Sequence, residues 1–348
     1  MMKKIIQFML LFFNIIMLFT LVFSLLSPFV NPNLFWPISF FGLFFPIILF
    51  IILLLFIYSI FYNKKLMWIN LVFILISSPY LIRYISLNKE NKTEEGIHIM
   101  SYNVRLFNKW GWIKEDDIDR KIIHFVNNKK VDIFCIQEYY NPNDKLNFNF
   151  NDSHIGLQKN KDNWRMAIYS NYPQINKQTV NIDGARMNNT CIFSDIKIDK
   201  DTIRVYNIHL ASNFFQSRDF EFMNSTELEK EKIKNGVIGV VKRLKKSFKN
   251  RGKEVEQIKE HMRKSPYPII VCGDFNDTPV SYAYRELSEN KKDAFIESGN
   301  GIGATFTKIP SLRIDYIFYD KKFNSSQFNT HQENFSDHRA ISCKVKLN

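Results

Sequence analysis

No aspartate or glutamate occurs in residues 1–89; the first acid is Glu90. A segment that withholds acids for so long and fills the space with Phe, Leu and Ile is neither an ordinary soluble surface nor a disordered one. It contains three apolar stretches, Ile5–Leu26, Ile38–Tyr62 and Leu66–Ile85. Each exceeds the roughly 18 residues at which a membrane span becomes the default reading, and about 20 helical residues rise roughly 30 Å, the hydrocarbon thickness. The expectation is three transmembrane helices. Ser27, Pro28, Asn31, Pro32 and Asn33 supply the first turn, with Trp36 beside it at interface depth. Asn63, Lys64 and Lys65 make the second, so short that helices two and three form a hairpin. Lys3 and Lys4 could open a signal peptide, but the apolar run is too long and no small-x-small cleavage site follows.

Basic residues set the orientation. Lys3, Lys4, Lys64 and Lys65 fall on one side and the uncharged loop Ser27–Pro37 on the other. This places the N-terminus in the cytoplasm and the rest of the chain, after helix three, on the extracytoplasmic side. Arg83, Lys89 and Lys92 run against that assignment, because they add positive charge outside. Lys89–Glu95 reads as a polar linker between a membrane region, residues 1–88, and a second region, residues 96–348, which it hangs close to the bilayer.

Residues 1–95 hold seven Lys/Arg against three acids, which leaves the second region +9 of the formal +13 charge. That region is long enough for one large domain with a full core. Cys135, Cys191, Cys272 and Cys343 each sit inside an apolar segment without CxxC spacing, so they read as buried thiols rather than a disulfide or metal framework. Segments Ile97–Val104, Val131–Gln137, Arg165–Ser170, Thr190–Ile198, Thr202–Leu210, Ile269–Cys272, Arg313–Tyr319 and Ala340–Lys346 read as strands. Asp116–Asn128, Thr226–Lys249, Glu254–Arg263 and Ser281–Glu289 read as helices, the second strongly basic. Strands alternating with helices, together with strand pairs joined by short links such as Asp199–Asp201, indicate an α/β or α+β domain with more than one sheet layer. Tyr102–Leu106 and Tyr206–Leu210 echo one another, each an apolar strand ending in a polar-x-polar pair.

Charge-capable residues gather at the ends of these strands. Glu138 closes Ile133–Gln137 and suits a hard cation. Asp274 and Asn276, two apart in Gly-Asp-Phe-Asn, point the same way on an extended chain and suit holding a water; Gly273 allows close backbone approach. Asp315 lies in a strand, where Asp is disfavoured, and needs a partner; His338 in Ser-Asp-His-Arg is the candidate. His209 ends another strand, and Asn103 with Arg105 ends the first, the amide able to ligate a metal and the arginine to grip phosphate. Each alone reads equally well as a solvated strand end, an Asx-turn or a loop histidine. Together they match the needs of metal-assisted phosphoryl hydrolysis: a cation, a water-orienting acid, an imidazole and donors to phosphate oxygens. No nucleophile elbow, Walker loop or HExxH competes.

In this order, the residues resemble the endonuclease/exonuclease/phosphatase superfamily, which includes secreted-type deoxyribonucleases, abasic-site endonucleases, neutral sphingomyelinases and inositol polyphosphate phosphatases. The resemblance runs from about Ile97 to Leu347. It implies a four-layer α/β sandwich, two packed mixed β-sheets flanked by helices, with the site at one end. It also implies Mg²⁺, with Mn²⁺ as the substitute, held by Glu138, Asn103 and Asp337. Asp274 would activate the attacking water and Asn276 steady the nucleophile or a phosphate oxygen. His338, paired with Asp315, would contact the phosphate and handle a proton. His209 stands where the deoxyribonuclease and sphingomyelinase branches carry a histidine, and Arg105 matches the Asn-x-Arg of the deoxyribonuclease branch. The resulting expectation is a membrane-anchored phosphodiesterase or endonuclease that hydrolyses a phosphodiester by direct water attack. A phospholipid or phosphoinositide hydrolase with the same site is the first alternative, and an inactive membrane-anchored binding protein the second. The bilayer and a polyanionic phosphoester, nucleic acid or phospholipid, are the expected partners. The basic segment Lys230–Lys249 suits either a solvated face or anionic lipid. No protein partner can be inferred.

Overall fold

The computed structural model describes residues 2–89, 95–141, 146–156, 164–184, 190–213, 230–309 and 312–347. The N-terminal region is helical: α1 (Met2–Leu26), α2 (Pro32–Phe35), α3 (Ile38–Leu43), α4 (Phe45–Tyr62) and α5 (Lys64–Leu81). Two helices are long and apolar enough to cross a membrane, over Ile5–Phe29 and Phe45–Tyr62, and this corrects the expected three. The third apolar stretch ends early. Helix α5 stops at Leu81, and Ile85–Leu87 instead forms strand β1. Helix α5 is as long as α4, but its 18 residues include Lys64, Lys65, Asn70 and Pro79, which leave it less apolar than α4. The second stretch is also interrupted, because Phe44 separates α3 from α4.

The second region builds two six-stranded mixed sheets. The strands of this region are β2 (Ile97–Asn103), β3 (Ile133–Tyr139), β4 (Asp152–Ile155), β5 (Arg165–Ser170), β6 (Gln174–Thr179), β7 (Cys191–Ile198), β8 (Asp201–His209), β9 (Ile269–Asp274), β10 (Lys291–Asp293), β11 (Asn300–Ile302), β12 (Asp315–Asp320), β13 (Phe323–Thr330) and β14 (Ile341–Leu347), of which β11 lies outside the two sheets. One sheet runs β13-β14-β2-β3-β5-β4 and the other β10-β12-β9-β8-β7-β6. The pairing pattern is the same in both: antiparallel throughout, except for the central parallel pairs β2–β3 and β8–β9. A parallel pair needs a crossover connection. The segment between β2 and β3 contains helix α6 (Ile118–Asn128), and that between β8 and β9 contains helix α7 (Lys230–Arg263). Ile99, Ile133, Cys135, Ile168, Val205, Ile270, Cys272, Ile317 and Cys343 fill the space between the sheets. Helix α6 covers the outer face of the first sheet with Ile122 and Val126, and α7 that of the second with Val255, Ile258 and Met262. Strands covered on both faces read as unbroken apolar runs, which is why β3 and β9 are legible from sequence. All four cysteines are buried and unpaired.

Helix α7 is continuous where two helices were expected. The gap between them fell at Asn250–Lys253, and Gly252 there serves packing rather than chain reversal. A Cβ on it would lie 2.9 Å from Asn33 Nδ2 and 3.0 Å from Asn31 Oδ1. The loop between α1 and α3 thus rests directly on α7. Asn33 Nδ2 also donates to the Lys249 carbonyl (3.1 Å), and the rings of Phe40 and Phe248 meet edge to face at 5.4 Å.

The two regions are docked rather than hung. Residues 90–94 of the expected linker lie outside the described residues, but the flanking chain is held: β1 pairs antiparallel with β11, and Asn88 Nδ2 donates to the Ile296 carbonyl at 2.7 Å. Val280, fully buried, inserts among Leu21, Phe45, Ile48 and Tyr84 of the helical region. Two short helices complete this side, α8 (Tyr282–Leu287), capped by Ser281, and α9 (Ala294–Ser298), capped by Asp293.

Candidate active site

The two central parallel pairs end at the same edge of the sandwich. Asn103 is the last residue of β2, His209 of β8 and Asp274 of β9, while Asp315 is the first of β12. Register sets His209 and Asp315 on either side of Asp274. Glu138 sits at an irregularity in the β3–β5 ladder with φ +52°, which turns its side chain out of strand alternation. His338 precedes β14 and is fixed by a bridge to Phe306. Gly273 permits the approach of β8 to β9: at φ +149°, a Cβ would lie 1.9 Å from the Ile208 carbonyl oxygen.

The contacts cross from one sheet to the other. Asn103 Nδ2 donates to Asp274 Oδ2 (3.0 Å) and lies 3.5 Å from Glu138 Oε1. His338 Nδ1 is 3.0 Å from Asp315 Oδ2, and its Nε2 is 3.7 Å from Asp274 Oδ2. His209 Nε2 lies 3.8 Å from Glu138 and 3.7 Å from Asp274. Asn276, at φ +51°, gives its backbone N–H to Asp274 Oδ1 (2.8 Å) and its amide to Asp274 Oδ2 (3.1 Å). Arg105 Nε pairs with Asp337 Oδ2 at 3.2 Å, and its guanidinium lies over Trp112. Every residue singled out from the sequence is therefore in one cluster, with Arg105 and Asp337 at its rim, engaged with each other. Glu138 keeps 20% of its side chain exposed, against 1% for Asp274, so the cluster opens on the Glu138 side.

Three residues not singled out hold the frame. Gln137 Nε2 donates to Asn207 Oδ1 (2.7 Å), and Asn207 Nδ2 donates to the Ile136 and Ala167 carbonyls. This buried amide pair ties the sheets together directly beneath Glu138. Ser336 Oγ donates to the Asn103 carbonyl (2.8 Å) and carries the approach to Asp337 and His338. The sequence signal was available: Asn207 lies in the echoed Tyr-Asn pair, and Gln137 adjoins Glu138.

The electrostatics are those of crowded acids. Burial, and next the charge of Asp337, pushes the Glu138 carboxyl up to about 7. Burial also raises Asp274, against the pull of His338. Burial opposes charge on His338, but Asp315 and Asp274 overcome it and hold the imidazole protonated, up to about 10. Burial lowers His209, and neither of its ring nitrogens has a hydrogen-bond partner among the described residues. The orphaned ring nitrogens of His209, beside the crowded carboxylates of Glu138 and Asp274, fit a divalent cation, and an oxygen-rich donor set fits a hard one. Asp274, Asp315 and His338 present ligand atoms within 4.8 Å of one another, but the His338–Asp315 hydrogen bond uses that imidazole edge. Glu138, beside Asn103 on the open side of the cluster, could also offer an oxygen to a cation.

The chain belongs to the endonuclease/exonuclease/phosphatase family, whose sequence model matches residues 100–338. Members of that superfamily are phosphoric ester hydrolases and typically depend on a divalent metal. Residues 4–84 match a domain of unknown function. No curated protein matches the chain. Among solved structures, a functionally unknown conserved protein from Enterococcus faecalis is 17% identical with a TM-score of 0.54, covering 72% of this chain and 100% of its own. A family protein from Bacteroides thetaiotaomicron is 17% identical with a TM-score of 0.51, covering 73% and 96%. The human Nocturnin catalytic domain is 14% identical with a TM-score of 0.50, covering 73% and 95%. These similarities establish the fold.

Proposed function

We propose that the protein is a membrane-anchored, Mg²⁺-dependent phosphodiesterase that hydrolyses its substrate by direct attack of water. Glu138, Asn103 and Asp337 would hold the metal, which when bound supplies Lewis-acid stabilisation of charge on the phosphoryl group. Asp274 accepts the proton of the attacking water, with Asn276 fixing the carboxylate and steadying the nucleophile. His338, kept protonated by Asp315, donates to a phosphate oxygen, stabilises charge there, and gives its proton to the alcohol oxygen that leaves as the P–O ester bond breaks. His209 adds a second imidazole to the same oxygens, and Arg105 contacts the substrate phosphate from the rim. The observation that carries the reading is the His338–Asp315 pair, 3.0 Å apart, directed at Asp274. A nuclease reading draws on the basic charge of the catalytic region, which favours polyanions.

Two observations favour the second reading, a phospholipid or phosphoinositide headgroup. The helical region packs against Thr278–Val280, four to six residues after Asp274, and Lys245 Nζ lies 5.1 Å from the Trp36 ring centroid, next to the loop between α1 and α3. The test uses the full-length protein. Asp274→Ala and His338→Ala should each lower Mg²⁺-dependent phosphodiester hydrolysis at least about 100-fold, the scale of losing an acid/base group. Unchanged rates would remove those roles. Release of acid-soluble nucleotides against release of a lipid headgroup, each with Mg²⁺ and with EDTA, separates the two substrates.

A further inference from the structure

Arg83 is the residue that fits the orientation rule least, and its contacts give it another use. It lies just past the end of α5, where its guanidinium is sandwiched over the rings of Tyr80 (4.7 Å) and Tyr284 (4.9 Å). Its Nη1 donates to the Pro279 carbonyl at 2.9 Å. Pro279 is three residues beyond Asn276 and five beyond Asp274. The backbone carbonyl of Arg83 in turn accepts from Arg313 Nη1 at 2.8 Å. Arg313 is almost wholly buried, gives Nη2 to Asp293 Oδ1 at 2.6 Å, and stands two residues before Asp315.

The two arms meet again on the far side. The Tyr316 hydroxyl lies 2.8 Å from the carbonyl oxygens of both Asp277 and Arg313, and Phe275 N–H donates to the Ile314 carbonyl at 2.8 Å. Asp277 is itself held by Arg251 Nε at 3.0 Å. A closed circuit therefore runs from Arg83 through Pro279 to Asp277, across Tyr316 to Arg313, and back to Arg83. The segments it joins adjoin Asp274 and Asn276 on one side and include Asp315, the partner of His338, on the other.

We propose that Arg83 is a positioning residue for the active site, through which the N-terminal helical region sets the relative placement of the water-holding loop and the His338–Asp315 pair. Catalysis is then coupled to how α5 sits, and the helical region is part of the catalytic machinery's frame rather than a tether. The proposal rests on the hydrolase reading above for its kinetic consequence, and on geometry alone for its structural one. Rigid-body fit of an acid and an imidazole to a reacting phosphate tolerates little error, since a displacement of about 1 Å costs on the order of 100-fold in rate.

The experiment compares full-length wild type, Arg83→Met and Arg83→Lys in the same detergent. Met keeps an apolar stem between the tyrosines and removes the donors; Lys keeps one cation able to reach the Pro279 carbonyl. With Mg²⁺ and bis-p-nitrophenyl phosphate, Arg83→Met should lower kcat about 10- to 100-fold and leave KM within about threefold, with Arg83→Lys between the two. Amide hydrogen exchange should quicken in residues 274–281 and 312–316 and stay unchanged in β3 and β5. Unaltered exchange in both segments, or exchange that quickens evenly across both sheets, would overturn the proposal. So would a kcat unchanged in Arg83→Met. Should the wild type hydrolyse no phosphoester, the hydrolase reading falls, and the exchange pattern decides the coupling by itself.

Discussion

Gly273→Ala is the substitution whose effect is most directly calculable. Gly273 lies in the parallel pair β8–β9, with Ile208 opposite it and the pair His209–Asp274 one step on. The added Cβ would meet the Ile208 carbonyl oxygen at 1.9 Å, its carbon at 2.8 Å and its nitrogen at 2.8 Å, on a residue held at φ +149°. All three atoms are backbone, so no side-chain rotation relieves the clash. Forcing an L-residue into that conformation costs about 1–3 kcal/mol. Parting the strands forfeits ladder hydrogen bonds at about 1 kcal/mol each. Together these amount to about 2–5 kcal/mol, which for a domain of this size lowers the melting temperature by about 5–15 °C. The same parting displaces His209 from Asp274, and a shift near 1 Å lowers kcat on the order of 100-fold. Near-ultraviolet circular dichroism melts and Mg²⁺-dependent phosphodiesterase rates on the full-length protein measure both. A Gly273→Ala protein that melts within about 2 °C of wild type and keeps its rate within about threefold would refute the close-approach argument.

Other consequences are checked by melting curves. Burial raises the Glu138 carboxyl to about 7 in the folded protein, so the native state holds an extra proton and loses stability as pH rises through that value. A divalent cation relieves that charge; Mg²⁺ at a hundred times its Kd for pH 8 should add about 2.7 kcal/mol there, with a smaller melting shift from the same concentration at pH 6, and equal shifts would count against the ligand assignment. Burial lowers His154 and His331 to about 4, so their unfolded forms take up protons first; stability present above about 6.5 drains away as pH falls toward 4. His331→Gln should flatten that acid limb, and an unchanged pH profile would exclude the histidine as its source. Gln137→Leu strands Asn207 Oδ1 between the sheets and should cost about 1–3 kcal/mol, seen as a lower melting temperature.

The strand ends were readable because burial on both faces leaves a plain apolar run that breaks sharply at a polar residue, as at Glu138 and Asp274. Strand β13 was not readable: Phe-Asn-Ser-Ser-Gln-Phe-Asn-Thr is a polar edge strand paired on one side only. Strands β4 and β6, at the opposite edges, carry the same weak signal. The expected break at Asn250–Lys253 is continuous helix instead, and the neighbouring Asn31 and Asn33 show that Gly252 there serves close packing. The apolar stretch to Ile85 misled because hydropathy does not say where a helix ends when the next apolar residues pair as a strand.

Residue chemistry along the chain was enough to mark an acid-free apolar region, a mixed α/β domain and the kinds of side chain a phosphoester hydrolase uses, since each of these is a local property of composition or periodicity. Only the tertiary structure decided that Gln137 and Asn207 lock the sheets and that Arg83 reaches Pro279 and Arg313. Those contacts join residues far apart in sequence. Sheet order, strand register and close packing set them, and none of the three is written in any short window of the chain.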